Sequence, residues 1–153
     1  MEEQGQAVRL PFPPPLAALF CGGAAWLLER AAPTSVPFVF HRLGWLLIAV
    51  AVALFVAAVL ALRQAGASPD PRVPVPAIAE RGVYRFSRNP IYLAMGLGLA
   101  GAGLTWDSMW IVASAAAALG LLQTMVVARE EAYLSVRFPS EYASYRARVR
   151  RWL

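Results

Sequence analysis

Residues 43–62 read LGWLLIAVAVALFVAAVLAL, an apolar run without a single charged side chain. A helix needs about 20 such residues, at 1.5 Å each, to cross the hydrocarbon core of a bilayer. The run therefore predicts a membrane-spanning helix, and this prediction decides the class of fold.

The composition of the whole chain agrees with that prediction. Of its 153 residues, 59% are hydrophobic and 15% are charged. A soluble chain this short would leave much of its apolar surface exposed to water. A membrane protein is therefore expected.

Three further apolar runs, at residues 16–28, 91–106 and 109–128, accompany the first. The sequence thus predicts an all-α, polytopic integral membrane protein with about four transmembrane helices and a C-terminal amphipathic helical segment. The first and third of the four runs are short and have to tilt or lean on their neighbours. The connection at residues 105–108 is so short that the last two helices should form an antiparallel hairpin.

We expect one membrane domain over residues 1–153. Two N-terminal membrane helices occupy residues 1–63, and a proline-rich cytoplasmic loop with a helix entrance motif occupies residues 64–89. The hairpin and the C-terminal segment occupy residues 90–153. The prolines of the loop prevent a helix there, so it is a connector or a lid.

The charged residues predict an orientation. All fourteen basic residues are arginine, and with four spans and the N-terminus inside, only Arg30 and Arg42 lie outside. This bias obeys the positive-inside rule. We expect an integral protein of a bacterial inner membrane whose site faces the cytoplasm, and whose arginines suit membrane lipids better than nucleic acid. A single Cys21 and a single His41 argue against a disulfide and against a metal cluster.

The stretch RFSRNPIY, residues 85–92, stands at the mouth of the third apolar run. Asn89 is predicted to cap the helix and Pro90 to take its first position. Capping does not account for Arg88 or Tyr92. Further along, Ala94, Gly98 and Gly101 form a stripe of small residues, which is more typical of close helix packing than of room for a flat ligand.

A second polar stretch, REEAYLSVRF at residues 129–138, follows the last apolar run. It is either a solvated amphipathic helix with ion pairs or part of a site. Pro139 should push Phe138 out of helical conformation. The aromatic and basic tail beyond it would anchor at the lipid headgroups.

Together, YRFSRNPIYLAMGLG and REEAYLSVRFPSEYASYRARVRRWL resemble the isoprenylcysteine carboxyl methyltransferase family and its relatives, the phospholipid N-methyltransferases, over residues 80–153. Three positions depart from the family pattern. Ala94 stands where the entrance motif usually has glycine, Pro139 replaces the glycine after Phe138, and Arg150 replaces a common proline.

The resemblance implies S-adenosylmethionine as cofactor and a lipidic or hydrophobic methyl acceptor at the membrane–cytoplasm interface. It implies that Glu130, Glu131 and Arg137 are catalytic. The cofactor-binding residues that it implies are Tyr84, Arg88, Asn89, Tyr92, Gly96, Gly98, Glu130 and Tyr142. No metal is expected.

The acceptor predicted first is a carboxylate, which is already ionised and which Arg137 would hold through a bidentate pair. An amine acceptor, as in a phospholipid N-methyltransferase, would instead need a glutamate as the base that removes its proton. Two other classes stay open at this point: a membrane reductase of the sterol-reductase type that binds NADPH, and a non-catalytic scaffold.

Overall fold

A computed structural model describes residues 12–153, and over these residues all regular structure is helical. The α-helices are α1 (Pro14–Ala31), α2 (His41–Gln64), α3 (Pro90–Thr105), α4 (Met109–Leu122), α5 (Ala128–Arg137) and α6 (Pro139–Arg148). Short 3-10 helices occupy Phe38–Phe40 and Gly82–Arg85, and a π-helical turn occupies Gln123–Val127.

Two helices are long and apolar enough to cross a membrane. They are Phe38–Gln64 and the continuous helix Met109–Arg137, while Pro90–Thr105 is apolar but shorter. Over residues 12–153 the prediction of an all-helical chain is therefore confirmed, and the two long apolar helices are consistent with a membrane protein. Helix α1 does not meet the same criterion, so four complete spans stay a prediction.

The helices pack in the spatial order α2, α3, α4, α1. Glycines allow the closest approach, between α2 and α3. A Cβ added at Gly101 would lie 2.8 Å from the carbonyl oxygen of Gly44, and a Cβ added at Gly44 would lie 2.8 Å from that of Gly101. Ala94 is buried as well. The packing interpretation of the small stripe is confirmed, because backbones come this close only where side chains are absent.

Helices α3 and α4 form the predicted hairpin, connected by residues 106–108. The side chain of Ser108 caps α4 by accepting a hydrogen bond from the Ile111 amide at 3.2 Å. The bundle thus has two ends. The α3–α4 and α1–α2 connections lie at one end, which we call the far end. The C-terminus of α2, the N-terminus of α3 and the helix α5 lie at the opposite end, which we call the site end.

A polar cluster joins the two connections at the far end, and we call it the far-end cluster: Glu29, Thr34, Asp107 and Ser108. The Glu29 carboxylate accepts hydrogen bonds from the Thr34 amide, from Thr34 Oγ1 at 2.6 Å and from Ser108 Oγ at 2.6 Å. Asp107 accepts one from the Val36 amide. All these donors are neutral, and His41 Nε2 lies 3.9 Å from Asp107 Oδ1, so no arginine pairs with the carboxylates of the cluster in the described part of the chain.

Beyond the apolar run, the last hairpin helix continues through the π-helical turn into α5, so that Glu130 and Glu131 lie on a direct extension of α4. Phe138 leaves helical conformation, with φ −133° and ψ 65°, as Pro139 predicts. Helix α6 then folds back, and Tyr142 is 2% exposed among apolar neighbours. Helix α6 is thus a surface helix that buries one face, through Tyr142 and Tyr145, whereas α5 has no buried residue.

Candidate functional site

Asn89 at the helix entrance does not act as the predicted cap. Its side chain makes no capping hydrogen bond to α3, and its Nδ2 donates instead to the carbonyl oxygen of Arg151 at 3.0 Å. The capping prediction was wrong because the C-terminal tail offers the buried amide a backbone acceptor. Pro90 does take the first position of α3.

The tail crosses the entrance motif and is held there by backbone groups. The Arg88 amide donates to the carbonyl oxygen of Arg150 at 3.0 Å, and Ser87 Oγ donates to that of Arg151 at 3.3 Å. Trp152 Nε1 donates to Gln123 Oε1 at 2.9 Å, which ties the tail to the π-helical turn. Three segments that are distant in sequence therefore meet at one place.

Glu131 lies at the centre of this meeting point. Arg88 Nη1 is 3.1 Å from Glu131 Oε1, and both side chains are nearly buried, at 10% and 12% exposure. Arg151 binds the same carboxylate with two hydrogen bonds, from Nε at 3.0 Å and from Nη2 at 2.7 Å. These hydrogen bonds raise the pKa of Arg151 further above its ordinary value. The two charged stretches thus meet at the open ends of the predicted hairpin, through Arg88 and Glu131.

Glu130 makes a separate pair with Tyr92, whose hydroxyl donates to Glu130 Oε1 at 2.6 Å. Neighbouring phenols complete the polar surface: Arg88 Nη1 donates to the Tyr142 hydroxyl at 3.1 Å, and the Tyr145 hydroxyl donates to the carbonyl oxygen of Tyr84 at 2.8 Å. Burial raises the pKa of the Tyr145 phenol, so it stays a neutral donor near pH 7.

A cavity of about 130 Å³ opens beside these groups, and we call it the polar cavity. The polar side chains in its wall include Arg88, Asn89, Tyr92, Glu130 and Tyr133. Residues between 67 and 79 of the proline-rich loop cover it, and the Val75 amide donates to the Tyr133 hydroxyl at 3.4 Å. The loop is thus a roof over the cavity and not only a connector.

Arg88 also carries a buried donor without a partner among the described residues, its Nε. A buried N–H without a hydrogen-bond partner destabilises the fold, and such groups commonly donate to a bound ligand or an ordered water. Because Arg88 lines the polar cavity, this donor marks a place where a ligand acceptor would be stabilised.

The structure brings together only part of the predicted site. Tyr84, Arg88, Asn89, Tyr92 and Glu130 line the polar cavity, whereas Glu131 and Tyr142 support Arg88 from outside its wall.

The other predicted residues lie elsewhere. A Cβ at Gly96 would lie 2.8 Å from Leu119 Cδ1, and one at Gly98 would lie 3.8 Å from Ala51, so both glycines serve helix packing. Arg137 is exposed, with its guanidinium carbon 5.7 Å from the ring of Phe138. None of these three lines the polar cavity.

The sequence analysis missed Arg151, Tyr133 and Tyr145. Arg151 was assigned to a headgroup anchor because nothing in the order of residues connects it to Glu131. Tyr142 and Tyr145, with Val149, follow a helical spacing of three and four, and that periodicity signals a buried face. It was the one available sign that the tail packs onto the bundle.

Comparison with known protein families gives one match. The family model for phospholipid methyltransferase matches residues 39–141, about two thirds of the chain. The match includes the entrance motif and both glutamates, and it ends before Arg151. No curated protein and no solved structure gave a match. The isoprenylcysteine family expected from the sequence is a relative of the one matched. On this match, which covers the helices that build the polar cavity, the chain belongs to the phospholipid methyltransferase family, a family of membrane methyltransferases.

Proposed function

We propose that the protein transfers a methyl group from S-adenosylmethionine to the amine headgroup of a membrane lipid. The observation that carries this proposal is that the two adjacent glutamates have different partners. Glu131 is neutralised by two arginines, whereas Glu130 faces the polar cavity and, among residues 12–153, has a tyrosine hydroxyl as its one hydrogen-bond partner.

The charges in the site favour an amine over the carboxylate that the sequence favoured. Holding a carboxylate requires an arginine whose guanidinium is free to bind it. Arg88 and Arg151 are both engaged by Glu131, and Arg137 lies outside the cavity. An ammonium headgroup could instead approach Glu130, which forms no ion pair with an arginine of residues 12–153.

Glu130 is placed to act as the base for such an acceptor. An alkylammonium has no lone pair, so it must lose a proton before it attacks a methyl group. The Glu130 carboxylate accepts that proton, while the Tyr92 hydroxyl, at 2.6 Å, holds the carboxylate in place. Bound S-adenosylmethionine would supply an electrophilic methyl group on a sulfonium, for which the deprotonated amine would be the acceptor. The site contributes alignment and charge, with no nucleophile on the protein.

The residues of the polar cavity fit the chemistry of this cofactor. Among residues 12–153, Arg88 Nε is a buried donor without a partner and is available to a hydroxyl of the cofactor, and Tyr84 and Tyr133 are aromatic surfaces for the adenine. The volume of about 130 Å³ is below the roughly 300–1,000 Å³ of most small-molecule sites. Cofactor binding therefore requires the proline-rich roof to move outward.

The arginine distribution supports a cytoplasmic orientation for the site. Arg30 and Arg42 belong to the far end of the bundle, and the other arginines of the described residues cluster at the site end. Under the positive-inside rule the site end faces the cytoplasm, where the polar cofactor is made. Accessibility of single cysteines placed at each end would test this orientation.

A methyl-transfer assay tests the function. Purified protein in lipid nanodiscs receives S-adenosylmethionine labelled in its methyl group, with phosphatidylethanolamine, phosphatidylglycerol or a farnesylcysteine analogue as acceptor. We expect label in phosphatidylethanolamine alone, and the phosphatidylglycerol nanodiscs are the control for background transfer. Label in the farnesylcysteine carboxylate would overturn the choice of amine. Binding of NADPH without binding of S-adenosylhomocysteine would overturn methyl transfer itself.

A further inference from the structure

The proline-rich roof of the polar cavity is fixed to the helical bundle at two places. At its start, Ala67 is 6% exposed, and its amide donates to the carbonyl oxygen of Leu62 at 2.9 Å. At its end, Ile78 packs against the buried cluster that contains Tyr142. Between these two places lie residues 68–77, none of which is buried, and we call them the flap.

The flap is stiff, because most of its hydrogen bonds join its own residues. The Asp70 amide donates to Ser68 Oγ at 3.0 Å, and the Val73 amide donates to the carbonyl oxygen of Asp70 at 3.1 Å. Arg72 adds two side-chain hydrogen bonds to the Asp70 carboxylate, each of 2.9 Å. Backbone rotation is restricted further by the prolines at positions 69, 71, 74 and 76. We therefore expect the flap to move as a unit about its two ends.

A single hydrogen bond joins the flap to the other residues of the 12–153 range. The Val75 amide donates to the Tyr133 hydroxyl at 3.4 Å, which is longer than most N–H···O bonds. Segments with few buried contacts and few hydrogen bonds to the rest of a protein open at a small cost in free energy. The flap has both properties, so Tyr133 is the contact that decides how often it opens.

The flap covers the polar cavity. It contributes several residues to the wall, and Tyr133 lines the cavity beside them: Ser68, Pro69, Pro71, Val75 and Ala77. A ligand bound against Arg88 and Glu130 would therefore lie beneath the flap. A covering segment of this kind excludes water while it is closed and lets a ligand enter or leave while it is open.

We propose that the flap is a lid that opens for exchange of the cofactor, and that the Tyr133 hydroxyl is the latch that holds it closed. This inference rests on the proposed function, because it takes the polar cavity as the cofactor site, and it adds the step by which the cofactor enters and leaves. The ring of Tyr133 forms part of the cavity wall, whereas its hydroxyl sets the stability of the closed flap.

Distances between spin labels test the motion of the flap without any ligand. In a Cys21→Ser background, labels are attached to Val73→Cys in the flap and to Val136→Cys on α5, two exposed positions. We expect two populations of distance for the full chain in nanodiscs, and S-adenosylhomocysteine should favour the shorter one. The matched control pairs Val136→Cys with Phe86→Cys, which is exposed and outside the flap, and should give one distance throughout. One distance for the flap pair would overturn the proposal.

The variant Tyr133→Phe tests the latch, because it keeps the ring and removes the hydroxyl. Since the closed flap loses one hydrogen bond, we expect the association and dissociation rates of S-adenosylhomocysteine each to rise about threefold. The matched control Ser135→Ala removes a hydroxyl of the same helix that donates to the carbonyl oxygen of Glu131, and should change neither rate. A rise in the dissociation rate alone would mean that the Tyr133 hydroxyl contacts the ligand directly, which would overturn its role as a latch.

Failure of this inference can be distinguished from failure of the proposed function. If S-adenosylhomocysteine binds while the flap pair keeps a single distance, only the lid is wrong. If S-adenosylhomocysteine does not bind, the proposed function is contradicted, and the distances in the unliganded protein decide whether the flap moves.

Discussion

The two ends of the bundle each hold a cluster of polar side chains, and the two clusters use carboxylates in opposite ways. At the far end, Glu29 and Asp107 receive hydrogen bonds from amides and hydroxyls of nearby loops. At the site end, Glu131 is bound by two guanidinium groups, and Glu130 borders a cavity.

The difference separates a structural role from a functional one. Carboxylates bound by neutral donors complete the hydrogen bonding of loop backbones, which would otherwise be unsatisfied. The far-end residues do not line the polar cavity. The site end combines the ion pairs of Glu131 with the adjoining polar cavity. A count of polar residues would not distinguish the ends, whereas the kind of partner and the neighbouring space do.

The substitution Glu130→Gln tests most directly whether the site end has the functional role and the far end the structural one. The amide still accepts a hydrogen bond from Tyr92, but it no longer takes up a proton. We expect methyl transfer to fall about 100-fold to 10,000-fold, the usual contribution of a general base, with an unchanged melting temperature. The labelled-methyl assay and thermal unfolding in detergent measure the two quantities. Activity within a few fold of the wild type would remove Glu130 from the proposed mechanism.

A smaller effect is expected for Arg151→Ala, which takes away one of the two arginines of Glu131. Hydrogen bonds to charged groups contribute about 1.5–3 kcal/mol each, and Arg151 is partly exposed, so we expect a loss near 2 kcal/mol in the free energy of unfolding. Activity should fall as well, because Glu131, which pairs with Arg88, is then held by one arginine in place of two.

The matched control for that prediction is Arg137→Ala, since Arg137 is an exposed arginine of the same C-terminal part of the chain. Its removal should change the free energy of unfolding by less than about 0.5 kcal/mol and should leave methyl transfer within twofold. Equal effects of the two substitutions would contradict the placement of Arg151 in the site.

The smallest effect is expected at the far end, from Glu29→Gln. An amide replaces a carboxylate that accepts hydrogen bonds from Thr34 and Ser108, so we expect a small drop in the melting temperature in detergent. Methyl transfer by the folded protein should not change. A loss of activity comparable to that of Glu130→Gln would mean that the two ends are coupled and that the comparison fails.

The sequence predicted most of the architecture because hydropathy and turn signals act locally. The 43–62 run, the short connection at residues 105–108 and the effect of Pro139 on Phe138 are each decided by neighbouring residues. The meeting of Arg88 with Glu131 also followed from topology, since the two open ends of a hairpin lie at the same end.

The site was predicted less well, because its residues are far apart in the sequence and their positions along the helices were not known. Glu130, Leu134 and Arg137 share one face of a helix. Sharing a face does not say which of these side chains lies at the height of the cavity along the helix axis. Arg137 lies seven residues beyond Glu130, about 10 Å along the helix, and the cavity ends before it. Asn89 was assigned to a cap because its true acceptor, the carbonyl of Arg151, lies 62 residues away in sequence.

By itself, the sequence determined that the chain is helical and embedded in a membrane, and that its arginines gather at one end, because burial in lipid depends on runs of adjacent residues. Only the tertiary structure decided which arginines neutralise Glu131, which glutamate faces the polar cavity, and that a roof covers that cavity. Those outcomes depend on contacts between segments that sequence order does not relate, and on which competing hydrogen-bond partner is nearest once the helices have packed.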